Sequence, residues 1–232
     1  MDVPKPTDPA ARVDGELQRW SRIYAGEEYY YGDDAGPVAR RAVRYHRPFA
    51  RPGATALDTG CGEGQDLAYL VEVGYEVTGV EFTDGGAEKS RRLLRDRGLA
   101  GEVRQEDLRE TLGLRGGAGL DRQFDLVLCV NVLQFLGADG LPALQALKER
   151  VSPGGVLGLS LFGRAPEQPE VRGTLWFVTL PQVLALFEGW QPMEAASLYQ
   201  WNLATNEPQP FVTLIVRKSA PSGRVQGLGS RV

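Results

Sequence analysis

The sequence predicts an α/β protein built on a doubly wound, mostly parallel sheet, and three observations carry that prediction. Short apolar runs bounded by turn residues alternate with segments of helical period, the order expected when helices cover both faces of parallel strands. The run "FDLVLCV" (124–130) has almost no polar break, as a strand buried on both sides requires. The stretch "LDTGCGEGQDLAYL" (57–70) passes from an apolar run through three glycines in five positions into a helical pattern. That is a strand, a tight turn and a helix start, the place where an open α/β sheet receives a ligand.

Taken in order, residues Thr55 to Asp58 form the first strand, and Leu67, Leu70, Val71 and Gly74 fall on one face of the helix after it. "EVTGVEF" (76–82) is the second strand, and "GGAEKSRRLLRDRG" (85–98) a helix closed by glycine. "EVRQED" (102–107) is a weaker third strand, followed by a Gly-rich segment, "LGLRGGAGLD", expected to be an exposed loop. After the fourth strand at 124–130, Leu141, Leu144, Leu147 and Val151 mark a helix, and "SPGG" punctuates before "VLGLSLF" (156–162). Leu180, Val183, Leu184 and Phe187 mark a further helix, and "FVTLIVR" (211–217) is the last strand.

With 232 residues, 42% hydrophobic and 24% charged, the chain can bury one sizeable core. A net charge of −4 with interleaved signs gives no basic face, so no nucleic-acid partner is expected. Cys61 and Cys129 form no CxxC pair and read as reduced thiols. Residues 1–10 lack the apolar stretch of a signal peptide, and no apolar run reaches the length of a membrane span, so the expectation is a cytoplasmic protein with no membrane partner. The pattern divides into an N-terminal helical cap or lid (1–50) rich in aromatics, a core (51–217) and a polar, Gly-rich tail (218–232) expected to be disordered.

The opening turn carries the functional signal. Gly60 can take a backbone conformation closed to other residues, while Gly62 and Gly64 remove side chains where a ligand must touch the main chain. The spacing is GxGxG and not the GxGxxG of a dinucleotide fingerprint, and Asp58 stands just before it. A carboxylate there disfavours a pyrophosphate and suits a cationic ligand, and S-adenosylmethionine combines adenosine with an ammonium group and a sulfonium. Glu81 ends the second strand about twenty residues after Gly60, where a carboxylate accepts from ribose hydroxyls. Asp107 closes the third strand, placed to accept from an adenine amino group while the Leu108 backbone serves a ring nitrogen. No Cys/His cluster suggests a metal, and no Gly-x-Ser-x-Gly elbow accompanies the single histidine, His46, which reads as a surface or capping residue.

These residues, together with "FDLVLCVNVLQFL" and "VSPGGVL", resemble the class I S-adenosylmethionine-dependent methyltransferases, over roughly residues 50 to 217. The resemblance implies a seven-stranded, Rossmann-like sheet whose last strand is antiparallel beside the fifth, a place "FVTLIVR" would fill. It also implies that Cys61 and Phe82 belong to the cofactor site, and it departs from the family's pattern only mildly, at Thr59. More narrowly, "EYYYGDD", "NVLQFLG" and "WFVTLPQVLALFEGWQP" are similar to the tellurite-resistance type of small methyltransferase. The implied reaction moves a methyl group to a small-molecule N, O or S nucleophile, and such chemistry needs no strong base.

Asn131, ending the fourth strand, is the first candidate for orienting substrate or cofactor, with Tyr30 and Tyr31 as candidates near the sulfonium. A nicotinamide-dependent oxidoreductase and a non-catalytic S-adenosylmethionine-binding module stand as alternatives. From Gly173 through Val216 there is no lysine, arginine or histidine. Trp176, Phe177, Trp190, Tyr199, Trp201 and Asn202 are therefore expected to form a neutral aromatic wall for a neutral or weakly ionised acceptor.

Overall fold

A computed structural model describes residues 9–116, 119–172, 175–202 and 207–220. Two helices come first, α1 (Pro9–Ile23) and α2 (Pro37–His46). The alternating core follows: β1 (Thr55–Thr59), α3 (Gln65–Glu72), β2 (Glu76–Glu81), α4 (Asp84–Asp96), β3 (Glu102–Gln105), α5 (Leu108–Thr111) and β4 (Phe124–Val130). A 3-10 segment (Leu133–Asp139) leads into α6 (Gly140–Glu149) and β5 (Val151–Phe162). A two-strand ladder, β6 (Val171–Arg172) with β7 (Leu175–Trp176), precedes α7 (Leu180–Ala185), β8 (Gln191–Asn202) and β9 (Glu207–Arg217).

Local chemistry accounts for the helix boundaries. Pro37 opens α2, Thr83 Oγ1 accepts the Gly86 N–H at the start of α4, and Thr179 with Gln182 forms a capping box on α7. Gly74 lies beyond α3 with φ of 99°, so it ends the first helical face and does not belong to it.

The main sheet has seven strands in the order β3-β2-β1-β4-β5-β9-β8. All pairs from β3 to β5 are parallel, and β9 runs antiparallel to β5 from Val156↔Arg217 to Phe162↔Phe211. The antiparallel strand beside the fifth is therefore "FVTLIVR", as the resemblance implied. Strand order reverses at the β1–β4 pair, which opens a crevice at the carboxyl ends of those strands. In β4, Leu126 and Leu128 enter one core cluster and Val127 and Cys129 the other, so the unbroken apolar run reflects burial on both faces.

The structure corrects the sequence reading in five places. The edge strand β8 was not foreseen; "QPMEAASLYQWN" carries small and polar residues because, among the described residues, only its β9 edge is paired. The Gly-rich segment is not simply an exposed loop, since Leu112 is buried and Leu114 and Leu120 pack on the core. His46 is buried, with Nδ1 2.7 Å from the Tyr75 hydroxyl, and is no surface residue. Of the segment expected as a tail, Lys218 Nζ donates to the Lys148 and Val151 carbonyls at 2.9 Å and Ser219 Oγ to Gly189 O, while residues 221–232 lie outside the described residues. Finally, α2 packs Val38, Ala39, Ala42 and Val43 into the sheet as part of the core, leaving α1 and residues 24–36 as the segment over the crevice. Among the described residues no helix is long and apolar enough to cross a membrane.

Candidate active site

A cavity of about 450 Å³ occupies the crevice where the strand order reverses, and it joins the glycine turn, the ends of β2 and β4, and the N-terminal segment. Asp58, Gly60, Cys61, Gly62, Glu81, Phe82, Asp107, Leu108, Asn131 and Tyr31 all line it. Two expected residues do not. Gly64, with φ of 94°, starts α3 behind the wall, where a Cβ would stand 2.7 Å from the Ser90 Cα; its role is packing. Tyr30 is 44% exposed and turns its ring edge-on to Tyr31, outside the cavity.

The acidic residues differ in their partners. Asp58 is buried at the end of β1, and its Oδ2 has no hydrogen-bond partner among the described residues. Burial, with Asp66 and Glu81 adding repulsion, pushes its carboxyl well above the usual carboxylate range. Glu81 is satisfied by protein: Oε1 accepts from Thr83 N at 2.9 Å and Thr83 Oγ1 at 2.6 Å, and Oε2 from Gly62 N at 3.1 Å. A carboxylate offers about four lone-pair sites, so capacity remains on Oε2 for a ligand hydroxyl. Burial raises Glu81, while the Thr83 and Gly62 donors oppose that shift.

Asp107 caps α5 and holds Arg109 through both oxygens at 2.6 to 3.1 Å. Burial alone would raise its carboxyl, but the Arg109 donors outweigh it and hold the group below its usual value. The expected acceptor for an adenine amino group is thus already engaged by a neighbouring arginine. Asn131 has φ of 59° and is the one non-glycine residue with positive φ among the described residues. Its N–H donates to Ser160 O at 3.0 Å and its Oδ1 accepts from Ser160 Oγ at 2.7 Å, which fixes the amide against β5. Strain of this kind is retained where surrounding bonds over-determine it, and it concentrates at functional sites.

Residues 57–157 match a family model described as a methyltransferase domain. That segment, a little under half of the chain, is similar to methyltransferase domains. The chain is 32% identical over 112 residues to the ubiquinone biosynthesis O-methyltransferase of Haemophilus ducreyi, covering 48% of the chain and 47% of that protein. It is 31% identical over 130 residues to the enzyme of the same name from Dinoroseobacter shibae, 54% of the chain and 50% of that protein. The matches thus span about half the length of the curated relatives.

Among solved structures, the chain is similar in fold to the Burkholderia thailandensis 1,6-didemethyltoxoflavin-N1-methyltransferase (TM-score 0.66, 19% identity, 94% of this chain and 93% of that one). It is likewise similar to TehB from Haemophilus influenzae (TM-score 0.65, 16% identity, 88% and 67%).

The neutral aromatic wall foreseen from the sequence is not where this protein builds its cavity. Trp176 and Phe177 are buried in the core, Trp190 packs on Phe187, and Tyr199 is 74% exposed; the side chains of Trp201 and Asn202 lie outside the described residues. The apolar wall comes instead from Trp20 on α1 and from Phe135 and Leu136 after β4. Helical and strand-edge positions alone gave those aromatics no direction, and the wall depends on which faces pack inward.

Sequence reasoning also missed Glu63. It lies inside the glycine turn, 1% exposed, with Oε1 2.7 Å from Lys89 Nζ and Oε2 accepting the Tyr30 N–H at 2.8 Å. Lys89 also donates to Glu28 O at 2.6 Å. Together with Gly36 N donating to Asp66 Oδ1 at 2.6 Å, these bonds tie the segment over the cavity to its floor. The available signal was the acidic residue between two glycines in "CGEG".

Cys61 does not suit nucleophilic chemistry. It is buried, with Sγ 3.7 Å from Ser90 Oγ, and burial pushes its thiol well above the usual value. His46 packs against Tyr75 and is absent from the cavity lining, so it is no base for this site.

Proposed function

We propose that this protein transfers the methyl group of S-adenosylmethionine to a nitrogen, oxygen or sulfur atom of a small molecule, in a cytoplasmic setting and without a nucleic-acid partner. The observation that carries the reading is the buried, unpartnered Oδ2 of Asp58 on the cavity wall beside the glycine turn. An isolated carboxylate in such a place is costly unless a cation meets it, and the ammonium of the methionine moiety is a cation of matching size. The same oxygen opposes a pyrophosphate, which argues against the nicotinamide alternative.

In this reading Asp58 holds the ammonium, the backbone at Gly60 and Gly62 lies against the methionine moiety, and Glu81 accepts from the ribose hydroxyls through its remaining capacity. Phe82 and Leu108 border the adenine, and Asp107, committed to Arg109, serves mainly to shape that edge. Bound S-adenosylmethionine supplies an electrophilic methyl group on a sulfonium. Asn131, anchored by Ser160, orients the reacting end, and the N-terminal segment with Tyr31 excludes water while it is latched through Glu63. Buried free thiols at Cys61 and Cys129 support the cytoplasmic setting.

Calorimetric titration with S-adenosylmethionine and with NAD tests the cofactor. Formation of S-adenosylhomocysteine with a panel of amines, phenols, thiols and selenite tests catalysis. Binding of NAD alone would overturn the reading, and binding of S-adenosylmethionine with no turnover of any acceptor would leave the non-catalytic module in its place.

A further inference from the structure

Among the described residues lining the cavity are eight carboxylates and a single arginine, and that arginine, Arg109, is held by Asp107 and Asp139. Most of these acids have donors of their own. Two carboxylate oxygens on the wall are buried with no hydrogen bond among the described residues: Asp58 Oδ2 and Glu16 Oε2. The proposed cofactor brings one ammonium group, and Asp58 at the glycine turn takes it. Glu16 is on the other side, on α1, one helical turn before Trp20.

Glu16 stands beside the apolar wall. Trp20 meets Phe135 edge-on with centroids 5.3 Å apart, and Phe135 in turn meets Phe162 at 5.6 Å, which makes a rigid aromatic surface. The Arg19 guanidinium is spread over the Trp20 and Phe135 rings, and its Nη1 forms an ion pair with Glu16 Oε2 at 3.7 Å, longer than a hydrogen bond. The Glu16 side chain is 17% exposed, so water does not fully solvate it. Burial raises its carboxyl above the usual value, with Arg19 and the Trp20 indole opposing, which brings it closer to the range useful in a proton acceptor.

Resting on the methyltransferase reading above, we infer that the acceptor is a primary or secondary amine on an aromatic or apolar body, seated against Trp20 and Phe135 with its ammonium on Glu16. The ammonium gives its proton to Glu16 Oε2. The freed nitrogen lone pair then forms the N–C bond to the methyl carbon as the S–C bond breaks, and that electron pair stays on sulfur as the thioether of S-adenosylhomocysteine. The proton leaves Glu16 for water when the product departs. A carboxylate reserved for the sulfonium would instead stabilise a charge that the reaction removes, and so would slow the step. The same acidic lining repels oxyanions and carboxylates.

The test is calorimetric titration of the full chain saturated with S-adenosylhomocysteine, using 2-phenylethylamine, tryptamine, 2-phenylethanol, phenylacetate and selenite. The amines bind about tenfold or more tighter than the alcohol and the anions, the scale of one charge-assisted hydrogen bond. Glu16→Gln loses about tenfold for the amines, Glu16→Asp recovers part of it, and both variants keep S-adenosylhomocysteine affinity within about threefold, which certifies the fold. Equal binding of alcohol or anion, an unchanged Glu16→Gln, or no binding of either amine overturns the inference. Failure of the parent to bind S-adenosylhomocysteine at all would overturn the methyltransferase reading instead.

Discussion

Glu63 Oε1 and Lys89 Nζ form an ion pair of 2.7 Å in which neither side chain is more than 7% exposed. Removing one partner of such a pair leaves a buried charge without compensation, at about 3–5 kcal/mol. Lys89→Met should lower the unfolding free energy by about that amount in urea titration. It should also release residues 24–31, because Lys89 holds the Glu28 carbonyl and orients the carboxylate that receives the Tyr30 N–H. Limited proteolysis that cuts first within that stretch in the variant, and not in the parent, checks the second part.

Asp58→Asn should act in opposite directions on stability and on cofactor binding. Burial raises the folded-state carboxyl of Asp58 above the 3.8 of an ordinary aspartate. The folded chain therefore binds more protons than the unfolded one between those values, and stability falls as pH rises through that window. The cost grows as pH rises above 3.8, so near neutral pH the ligand-free Asn variant should melt higher than the parent, with the difference vanishing at low pH. Its S-adenosylmethionine affinity should fall about tenfold or more, as one charge-assisted bond is lost.

The glycines at 62 and 64 should separate binding from folding. At Gly62, φ is 55° and an added Cβ would stand 2.9 Å from Tyr24 Oη on the cavity wall. Gly62→Val should abolish cofactor binding measured by calorimetry. At Gly64 the added Cβ meets backbone 2.7 Å away at Ser90, so Gly64→Ala should cost about 1–3 kcal/mol in stability. Whatever fraction of that variant remains folded should bind S-adenosylmethionine like the parent.

Asn131→Gly should be stabilising or neutral, since it relieves a left-handed residue, while Asn131→Ala should cost about 1 kcal/mol. Both lose the amide anchored on Ser160. If that amide orients the reacting groups, both variants should show a kcat reduced about tenfold or more with KM for S-adenosylmethionine little changed. A kcat equal to the parent's in both would remove Asn131 from the site's chemistry.

Much of this molecule is legible in its sequence because its strands sit in distinct environments. β4 is apolar on both faces, and Asp58, Glu81 and Asp107 lie at or just beyond consecutive strand ends, so pattern and position agree. β8 escaped for the converse reason: as an edge strand with one paired side it needs neither alternation nor bulk. Gly64 and Gly62 look alike in sequence, yet Ser90 decides that one packs and the other borders the cavity. Asp107 lies just beyond β3 and lines the cavity, and its commitment to Arg109 two residues later depends on a short helix turning the guanidinium back. Glu63 acts across a long sequence separation, on Lys89, and no local pattern announces such a contact.

The position of β9 between β5 and β8 also constrains how the protein is made. Phe162 at the end of β5 pairs with Phe211, so the edge of β5 emerges from the ribosome about 50 residues before its neighbour exists. At roughly 5–20 residues per second the nascent chain carries that open edge for several seconds. β8 is synthesised within the interval, but among the described residues its partner in the finished sheet is β9 and not β5. The sheet is therefore completed out of order, by insertion. A stall in translation between residues 163 and 210 would hold an apolar, hydrogen-bond-hungry edge in the open, where chaperones or a second nascent chain can reach it.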